Sequence, residues 1–423
     1  MTRVVITGLD MMTALGPTLA ATWPRLLAGE SGIRPIASFD ASEYTCRVAA
    51  EVRDVPPAAT GLDSIPDAHC RRGVRLFLSA ARGAWRDAGL DTAAIDPARA
   101  GVAVGASVNY VNVPLVRHHF RFRRPGAPEL DLARFAREGG FEPPHVFHKR
   151  QGEMAAAVPA RVLGLRGPAI AIDTACAAGS FAIGEAFRAI RRGRARVMVA
   201  GGGAALVNPI AMLAFMVLGA LSRNADPAEA SRPFDRGRDG FVMGEGAAAV
   251  VLEERGHAIA RGARIYAELA GYGVTLSGHN LTDPSPDGVC EEQAIRLALA
   301  EAGLAAEQVG YVAAHGTSTP KNDALETAAI KRAFGAHAAR LAVSSNKGQL
   351  GHTISAAGAC NVVCAVKALA DGCLPPTANY RTADPDCDLD YVPDAGRRAQ
   401  VEAALAHAFA FGGQNAVLAI RAS

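Results

Sequence analysis

The stretch "AIAIDTACAAGS", residues 169–180, joins two kinds of local structure. Its first half is apolar and β-prone, which predicts a strand, and its second half begins an Ala-rich pattern typical of a helix. Cys176 lies at the junction, so its sulfur is expected at the N-terminus of that helix. The partial positive charge there favours a thiolate, the nucleophilic form of cysteine. Taken alone, however, a cysteine at such a junction is more often a small core residue.

The same order of strand and helix recurs along the chain. Short β-branched runs alternate with helical patterns rich in Ala, Leu and Arg, which is typical of the α/β class. The three glycines at 201–203 lack the spacing of a dinucleotide-binding loop and instead predict close packing of a helix on a strand. The clearest strand-like runs are "VVITG" (4–8), "GVAVGAS" (101–107), "VMVAGGG" (197–203) and "AAAVVLEE" (247–254).

After about residue 263 the alternation of strands and helices begins again. The order of elements matches that of the first part, although the residues themselves differ. We therefore expect two structural repeats, residues 1–263 and 264–423, packed as one rigid body. No Gly/Ser-rich or Pro-rich tether separates them.

Composition argues against several other classes of protein. The chain has 423 residues, half of them hydrophobic, so a large core is expected. A formal net charge of only +3 gives no argument for nucleic-acid binding. No apolar run is expected to reach the roughly 18 residues of a membrane span, and the N-terminus lacks a secretory signal, so we expect a cytoplasmic protein. The eight cysteines form no CxxC pair, and no metal site is expected.

The segment 109–150 is the most irregular part of the chain. It carries eight Arg and Lys residues with aromatic residues between them. A solvated loop with a short helix explains this composition, and so does a segment that docks a partner or forms an interface.

Two histidines of the second repeat lie where Cys176 lies in the first. His315 follows the predicted strand "GYVAA", and His352 again lies between a strand and a helix. Each histidine alone would more often be a hydrogen-bonded structural residue. All three residues fall at the C-terminal ends of strands, where open α/β sheets bind ligands, so we expect one shared site.

Five motifs, in the same order, make the chain similar to one family over essentially its whole length. It resembles a β-ketoacyl-[acyl-carrier-protein] synthase of the type II elongating kind, in the thiolase-fold superfamily. That resemblance implies an α/β, thiolase-like duplicated β/α fold, layered α-β-α-β-α with two mixed sheets. The motifs are "DTACAAG" (173–179), "SRPFDRGRDGFVMGEGAAAVVLEE" (231–254), "AHGTSTPKNDALE" (314–326), "SSNKGQLGHTISAAGA" (344–359) and "FAFGGQNAVL" (409–418).

The resemblance assigns the chemistry to three side chains and one loop. Cys176 would accept the acyl chain, while His315 and His352 would act on the malonyl unit. A decarboxylative Claisen condensation needs such a nucleophile and leaving group, and its enolate oxygen needs preorganised donors that two imidazoles supply. The resemblance places the backbone N–H donors for the tetrahedral oxyanion at Cys176 and Phe411.

Further residues take their expected roles from the same resemblance. Lys347 and Glu326 are expected to form a buried charge network that orients the two histidines, with an exposed ion pair at a helix end as the alternative. Thr317 and Thr319 are expected to bind the amides of a phosphopantetheine arm, or else to cap a turn. Val108 is expected to line the acyl pocket.

The Gly-rich loop near the C-terminus is expected to act as a gate. Phe411 corresponds to a phenylalanine that swings between acylation and condensation, with Phe409 and Ala410 beside it. Ala410 replaces a common glycine, so its methyl group should restrict the loop. Gln414 and Ser355 also depart from the residues usual in the family.

The resemblance implies partners as well. An acyl carrier protein would deliver acyl and malonyl thioesters on its phosphopantetheine arm, so no resident cofactor is expected. Basic residues including Arg71, Arg72 and Arg124 are expected to meet its acidic surface. We expect a dimer, either with a second copy or with a chain-length-factor-like subunit, and we expect neither nucleic acid nor membrane as a partner.

Three questions about function stay open in the sequence. Fatty-acid synthesis and specialised polyketide or polyene synthesis are both compatible with the motifs. A non-catalytic chain-length factor is disfavoured because such subunits lack the nucleophilic cysteine that Cys176 supplies. A thiolase acting on acyl-CoA is disfavoured because the loop at 409–415 lacks the second cysteine of thiolases.

Overall fold

A ten-stranded mixed sheet forms the centre of the computed structural model, which describes residues 2–53, 55, 70–91, 93, 95–106, 113–139 and 144–423. Its strands come from both predicted repeats. The strands of the described residues are β1 (Val4–Thr13), β2 (Arg34–Pro35), β3 (Val48–Ala49), β4 (Ala100–Ala106), β5 (Ala169–Ile172), β6 (Val197–Ala204), β7 (Gly246–Glu254), β8 (Ala267–Leu276), β9 (Val309–Ala313), β10 (Ala342–Ser344), β11 (Cys373–Leu374), β12 (Arg397–Arg398), β13 (Ala403–Phe409) and β14 (Gln414–Ala422). The order in the large sheet is β10-β9-β13-β14-β8-β1-β7-β6-β4-β5.

The helices of the described residues alternate with these strands, as the α/β pattern predicts. Several of them follow directly from a strand end, which is the arrangement that places side chains at one edge of the sheet. They are α1 (Leu19–Leu27), α2 (Arg72–Asp87), α3 (Val113–Phe120), α4 (Leu132–Arg137), α5 (Pro144–Lys149), α6 (Met154–Val162), α7 (Ala178–Arg191), α8 (Pro209–Val217), α9 (Arg255–Ala260), α10 (Val289–Ala302), α11 (Pro320–Phe334), α12 (Lys347–Leu350) and α13 (Ala357–Asp371).

Helices cover both faces of the strands in five layers. In the middle layer α7 and α13 lie together, and Ile183, Phe187 and Val362 pack in one cluster with strands of both repeats. On one outer side α2 packs on the first set of strands through Phe77. On the other, α10 and α11 pack on the second set, with Ile295 in that cluster. Burial of these apolar side chains gives the predicted α-β-α-β-α order.

The two sets of strands join at a short seam. β1 and β8 pair antiparallel through three residue pairs, which match Val4–Ile6 with Ala267–Leu269. The two mixed sheets expected from the sequence are therefore two five-stranded sets of one continuous sheet, because the strand ends at the seam satisfy each other's hydrogen bonds. The predicted division between residues 263 and 264 falls between β7 and β8, and its position stays a prediction.

Two short turns occupy equivalent places in the two repeats. Residues Ala175–Ala177 form a 3-10 turn before α7, and Ile354–Ala356 form one before α13. The first residue of each turn has a left-handed φ, 45° in one and 42° in the other, which residues with a Cβ rarely adopt. The first turns of α7 and α13 approach each other closely at a glycine, since a Cβ on Gly358 would lie 2.2 Å from the Ser180 Oγ. The repeat thus brings two strained turns together at the centre.

The glycine run at 201–203 lies in β6, and both the Ile354–Ala356 turn and α2 pack closely on it. A Cβ on Gly202 would lie 2.3 Å from the Ser355 carbonyl oxygen, and one on Gly203 would lie 2.3 Å from the Gly73 carbonyl oxygen of α2. The predicted close packing on a strand is confirmed, because only a residue without a side chain allows these approaches.

We expect Gly203→Ala to lower the free energy of unfolding by about 1–3 kcal/mol, because the added methyl group overpacks β6 against α2. The matched control is Gly278→Ala, where nothing lies within 4 Å of the new Cβ. The midpoint of denaturant-induced unfolding is measured for both variants. The two midpoints are compared at the same dependence of the free energy of unfolding on denaturant concentration. Equal midpoints for the two variants would contradict the packing described for Gly203.

The core also contains the most membrane-like stretch of the described residues. Ile354–Asp371 is long and apolar enough to span a membrane, with a mean hydropathy of 1.4, yet 83% of it is buried inside the protein. The sequence-based expectation that no run reaches this length is therefore wrong. The burial identifies the stretch as the central helix of the fold.

The basic segment at 109–150 contains more helix than expected. Within its described part lie α3, α4 and α5, and three large apolar side chains are exposed there, Phe120, Leu132 and Phe147. Val108, the predicted acyl-pocket residue, lies outside the described residues.

Candidate active site

The position of Cys176 follows from the strand-to-helix junction. β5 ends at Ile172, and the 3-10 turn at Ala175–Ala177 directs the chain into α7. The turn begins with the left-handed Ala175, a conformation that persists only where the surrounding structure enforces it. The Cys176 side chain is buried, with 5% of the residue exposed. The junction read from the sequence thus places this thiol inside the protein and next to the start of a helix.

His352 contacts the thiol directly. Its Nε2 lies 3.2 Å from the Cys176 Sγ, and its Nδ1 accepts a hydrogen bond of 3.3 Å from the Ile354 N–H. Because Nδ1 is an acceptor, the ring proton is on Nε2 and points at the sulfur. The Phe241 ring lies edge-on against the imidazole, with centroids 5.0 Å apart.

His315 completes a compact group of three reactive side chains. Its ring centroid is 5.4 Å from that of His352, with the two planes nearly perpendicular. Burial lowers the pKa of both imidazoles well below the usual value, and the Lys347 ammonium lowers each of them further. Both histidines are therefore neutral at neutral pH and act as hydrogen-bond donors.

The thiol itself is held in its protonated form. Burial raises the pKa of Cys176 to about 11, while the Lys347 charge and the backbone N–H of Phe411 act in the opposite direction. The cavity therefore keeps the sulfur uncharged at rest, and donors that stabilise a thiolate are already in place around it.

Glu326 and Lys347 hold His315 through its main chain. The Glu326 carboxylate accepts hydrogen bonds from the N–H of His315, at 2.8 Å, and of Gly316, at 2.7 Å. The Lys347 ammonium donates to the His315 carbonyl oxygen. Burial lowers the pKa of Lys347 to about 8, and Glu326 acts to raise it. Both side chains are at most 1% exposed, so the alternative of an exposed ion pair at a helix end is wrong.

His407 belongs to the same buried network, and the sequence reasoning missed it. Its Nδ1 lies 3.0 Å from the Glu326 Oε1, and its ring is 5.3 Å from that of Phe409. Asn361 ties the strands together by donating 2.9 Å hydrogen bonds to the carbonyl oxygens of Ala314 and His407. The available signal was a histidine inside the otherwise apolar strand "AALAHAF". Such a residue needs a buried polar partner.

The Gly-rich loop closes the site on one side. Phe411 packs against Phe215 at 6.3 Å, and Phe409 faces His315 at 6.0 Å between ring centroids. Ala410 has φ −126° and ψ 157°, an extended conformation that costs a methyl-bearing residue nothing. In this position of the loop the departure from glycine causes no strain.

The loop is anchored to the segment that follows β8. The Gly412 N–H donates to the Leu281 carbonyl oxygen, and the Ser277 N–H donates to the Gly413 carbonyl oxygen, each at 2.8 Å. Gly412 and Gly413 have φ of 80° and 74°, which favour glycine. The two segments therefore form one unit beside Cys176.

These side chains line a cavity of about 370 Å³. Thr317 and Thr319 lie on its wall with their hydroxyl oxygens 2.8 Å apart. Among the described residues, no group of three or more His, Cys, Asp and Glu side chains could hold a metal ion. Of the predicted site residues, the cavity wall includes Cys176, His315, His352, Thr317, Thr319, Phe409, Ala410 and Phe411, while Lys347 and Glu326 lie behind His315.

Comparison with known proteins identifies the family of this site. The family model for the β-ketoacyl synthase N-terminal domain matches residues 1–258, and the model for the C-terminal domain matches residues 266–381. The chain belongs to the β-ketoacyl synthase family. The predicted family and its acyltransferase class are confirmed.

Individual relatives agree over almost the whole chain. A 3-oxoacyl-[acyl-carrier-protein] synthase 2 of Synechocystis sp. is 41% identical over 420 residues, 99% of this chain and 98% of the relative. The ishigamide ketosynthase/chain length factor has a TM-score of 0.88 at 33% identity, covering 100% of this chain and 99% of that one. A ketosynthase solved with its type II polyketide acyl carrier protein and bound hexaketide has a TM-score of 0.85 at 32% identity, covering 100% and 99%.

These matches confirm the predicted thiolase-like fold. They also confirm the predicted function, which is that of a β-ketoacyl-[acyl-carrier-protein] synthase in fatty-acid or polyketide biosynthesis.

The raised pKa of Cys176 predicts how the thiol reacts with iodoacetamide. Because the thiolate is the reactive form, the alkylation rate of Cys176 should keep rising with pH up to at least about pH 9.5. Lys347→Met should slow alkylation at neutral pH, since it removes a charge that lowers the thiol pKa. Lys331→Met, on an exposed ion pair with Asp388, is the control. A rate that levels off near pH 8, measured by mass spectrometry of the Cys176 peptide, would show that the thiol pKa is not raised.

Proposed function

We propose that Cys176 carries the growing acyl chain and that His315 and His352 drive its condensation with a malonyl unit. The observation that carries this proposal is the 3.2 Å contact between the Cys176 Sγ and a His352 Nε2 that bears its proton. A second neutral imidazole, His315, lies against His352 in the same cavity. This arrangement supplies a nucleophile and two donors within reach of one thioester.

The first half-reaction loads the enzyme. The Cys176 sulfur attacks the carbonyl carbon of an acyl thioester, and the sulfur of the phosphopantetheine arm leaves with the thiol proton. The backbone N–H groups of Cys176 and Phe411 stabilise the tetrahedral oxyanion, a role that fits the loop beside the sulfur. The His352 N–H stabilises the thiolate as it forms and again as it leaves in the second half-reaction.

The second half-reaction forms the carbon–carbon bond. The malonyl thioester loses CO2, and the electron pair of that C–C bond becomes an enolate whose oxygen accepts hydrogen bonds from His315 and His352. The enolate carbon attacks the acyl carbonyl, the tetrahedral intermediate collapses, and the Cys176 thiolate leaves and regains a proton. The products are a β-ketoacyl thioester and CO2. Neutral imidazoles suit this step because they donate hydrogen bonds without protonating the enolate carbon.

We expect Cys176→Ala to abolish the acyl-enzyme seen by mass spectrometry. His315→Ala should still be acylated but should release CO2 from malonyl-loaded carrier protein about 10²–10³-fold more slowly, because one enolate donor is lost. Cys290→Ala, a cysteine outside the cavity wall, is the control and should behave like the wild type. An acyl-enzyme that survives in Cys176→Ala would refute the proposed nucleophile.

The acyl carrier protein is the proposed partner at the mouth of this cavity. We propose that Thr317 and Thr319, which line the cavity, bind the amides of its phosphopantetheine arm, which would arrive with the substrate, so the enzyme itself would hold no cofactor. A relative solved with its carrier protein supports this partner. We also propose a cytoplasmic location for the reaction.

The exposed edge of the sheet supports a dimer. β5 is the last strand in the sheet order, and its residues are exposed or half-buried. Such an edge offers unpaired backbone groups to a second chain. We propose that this edge joins either a second copy or a chain-length-factor-like subunit. The similar structure described as the ishigamide ketosynthase/chain length factor supports the second of these partners.

Specialised polyketide or polyene synthesis and fatty-acid synthesis both use this chemistry, and we favour the specialised pathway because of Gln414 and the basic segment at 109–150.

A further inference from the structure

His407 is a buried titratable side chain that the proposed mechanism does not use. It lies inside β13, and neither His407 nor its partner Glu326 is exposed to solvent. The described residues that line the cavity do not include His407, so its ring does not touch a substrate there. Its Nε2 is buried without a hydrogen-bond partner among the described residues, so the contact at Nδ1 is its polar tie to the protein. A polar ring at such a place is costly, and its presence needs an explanation.

The Glu326 carboxylate connects His407 to His315. The Glu326 Oε1 accepts the 2.8 Å hydrogen bond from the His315 N–H, and the same oxygen lies 3.0 Å from the His407 Nδ1. The other oxygen, Oε2, accepts the Gly316 N–H at 2.7 Å. Because the carboxylate is the acceptor in all three contacts, the His407 proton is on Nδ1. His407 therefore holds the carboxylate in the orientation in which both oxygens meet the main chain after β9.

The Phe409 ring provides a second connection to His315. Phe409 lies two residues after His407, so both side chains are on the same face of β13. Its ring centroid is 5.3 Å from that of His407 and 6.0 Å from that of His315. Asn361 joins the two strands by donating hydrogen bonds to the carbonyl oxygens of His407 and Ala314. The main chain and the ring of His315 are thus both linked to β13 at His407.

The two imidazoles of the active site are held in different ways. The His352 Nδ1 accepts a hydrogen bond from the Ile354 N–H, and its Nε2 meets the Cys176 sulfur. The His315 Nδ1 is buried and has no hydrogen-bond partner within the described part of the chain. The direction of the His315 ring therefore depends on its main chain and on the rings packed against it. These are the two features that His407 supports.

We propose that His407 is a positioning residue for the condensation, which aims the His315 imidazole at the malonyl unit through the neighbouring carboxylate and aromatic ring. The inference rests on the proposed function, in which His315 donates to the enolate oxygen. The malonyl half-reaction alone should depend on His407, because Cys176 and His352 are held by contacts that do not involve it. The dependence should be large, since a displacement of about 1 Å can slow a chemical step roughly 10²-fold.

The experiment compares two amide replacements of His407. The side-chain N–H of His407→Asn lies near the place of Nδ1 and can still donate to Glu326, whereas that of His407→Gln lies near the place of Nε2. The matched control is His257→Gln, because the His257 Nδ1 forms a similar 2.8 Å contact with the buried Glu253, outside the cavity wall. Acylation of Cys176 by octanoyl N-acetylcysteamine thioester is followed by mass spectrometry. Release of CO2 is measured with malonyl-loaded bacterial acyl carrier protein.

The two half-reactions should respond differently to these changes. His407→Gln should lower kcat for CO2 release about 10–100-fold and leave KM for the malonyl carrier protein within about threefold. Its acylation at Cys176 should stay within about twofold of the wild-type rate. His407→Asn should release CO2 within about threefold of the wild type, because the donor to Glu326 is restored. His257→Gln should match the wild type in both assays.

A measurement on the wild type tests the contact without any substitution in the measured protein. In nitrogen-15 NMR of histidine-labelled enzyme, the His407 signals are those that disappear in His407→Asn. The spectrum should show the His407 proton on Nδ1. A proton on Nε2 alone would overturn the inference, because Nδ1 could not then donate to Glu326.

Other outcomes separate the possible failures. Equal rates of CO2 release for His407→Asn and His407→Gln, whether normal or slow, would overturn the positioning role. So would a His407→Gln enzyme whose acylation slows as much as its CO2 release, since that indicates a general loss of structure. A wild type that is not acylated at Cys176 and releases no CO2 would contradict the proposed function, while the NMR spectrum would still test the contact between His407 and Glu326.

Discussion

The buried carboxylate of Glu326 is the interaction on which the rest of the site depends. It draws the N–H groups of His315 and Gly316 together and also faces His407 on β13. A carboxylate without such partners would be very unfavourable at full burial, so the charge fixes the loop after β9 relative to β13. Lys347 adds a donor at the His315 carbonyl oxygen and a positive charge near the thiol.

The duplicated fold explains why the reactive groups meet. Each repeat supplies a strand, a strained 3-10 turn and a helix, and the two turns lie against each other at the centre. In the first repeat the middle residue of the turn is Cys176, and in the second it is Ser355, whose hydroxyl donates to the Gly203 carbonyl oxygen at 3.1 Å. The same strained 3-10 turn therefore positions a nucleophile in one repeat and a side chain that forms a structural hydrogen bond in the other.

Much of the fold and part of the site could be predicted, because the local sequence pattern marks the ends of the strands and some of the reactive residues lie directly at those ends. The strand-to-helix junction located Cys176, and the end of β9 located His315. The expected strand-end position of His352 was wrong, because α12 lies between β10 and His352, and the residue that matches Cys176 in the second repeat is Ser355. The single continuous sheet could not be predicted, because it depends on three residue pairs between β1 and β8 that no local pattern encodes. His407 was missed because one polar residue in an apolar strand shows its role only when its partner, distant in sequence, is known.

The same limit applies to the surface. Arg71 and Arg72 looked available for docking because a basic composition does not reveal internal hydrogen bonds. Their contacts with backbone carbonyls and with Glu245 appear only in the folded chain. The exposure of Leu213, Val217 and Leu218 was likewise hidden, since an apolar run such as that of α8 is typical of a core helix.

The central claim is that two neutral imidazoles donate hydrogen bonds beside an uncharged thiol. Nitrogen-15 NMR of histidine-labelled enzyme, assigned with His315→Gln and His352→Gln, tests it most directly. Both rings should stay neutral from about pH 5.5 to about pH 9, and His352 should carry its proton on Nε2. Titration of either ring near the ordinary value of 6.5, or a His352 proton on Nδ1, would contradict the account.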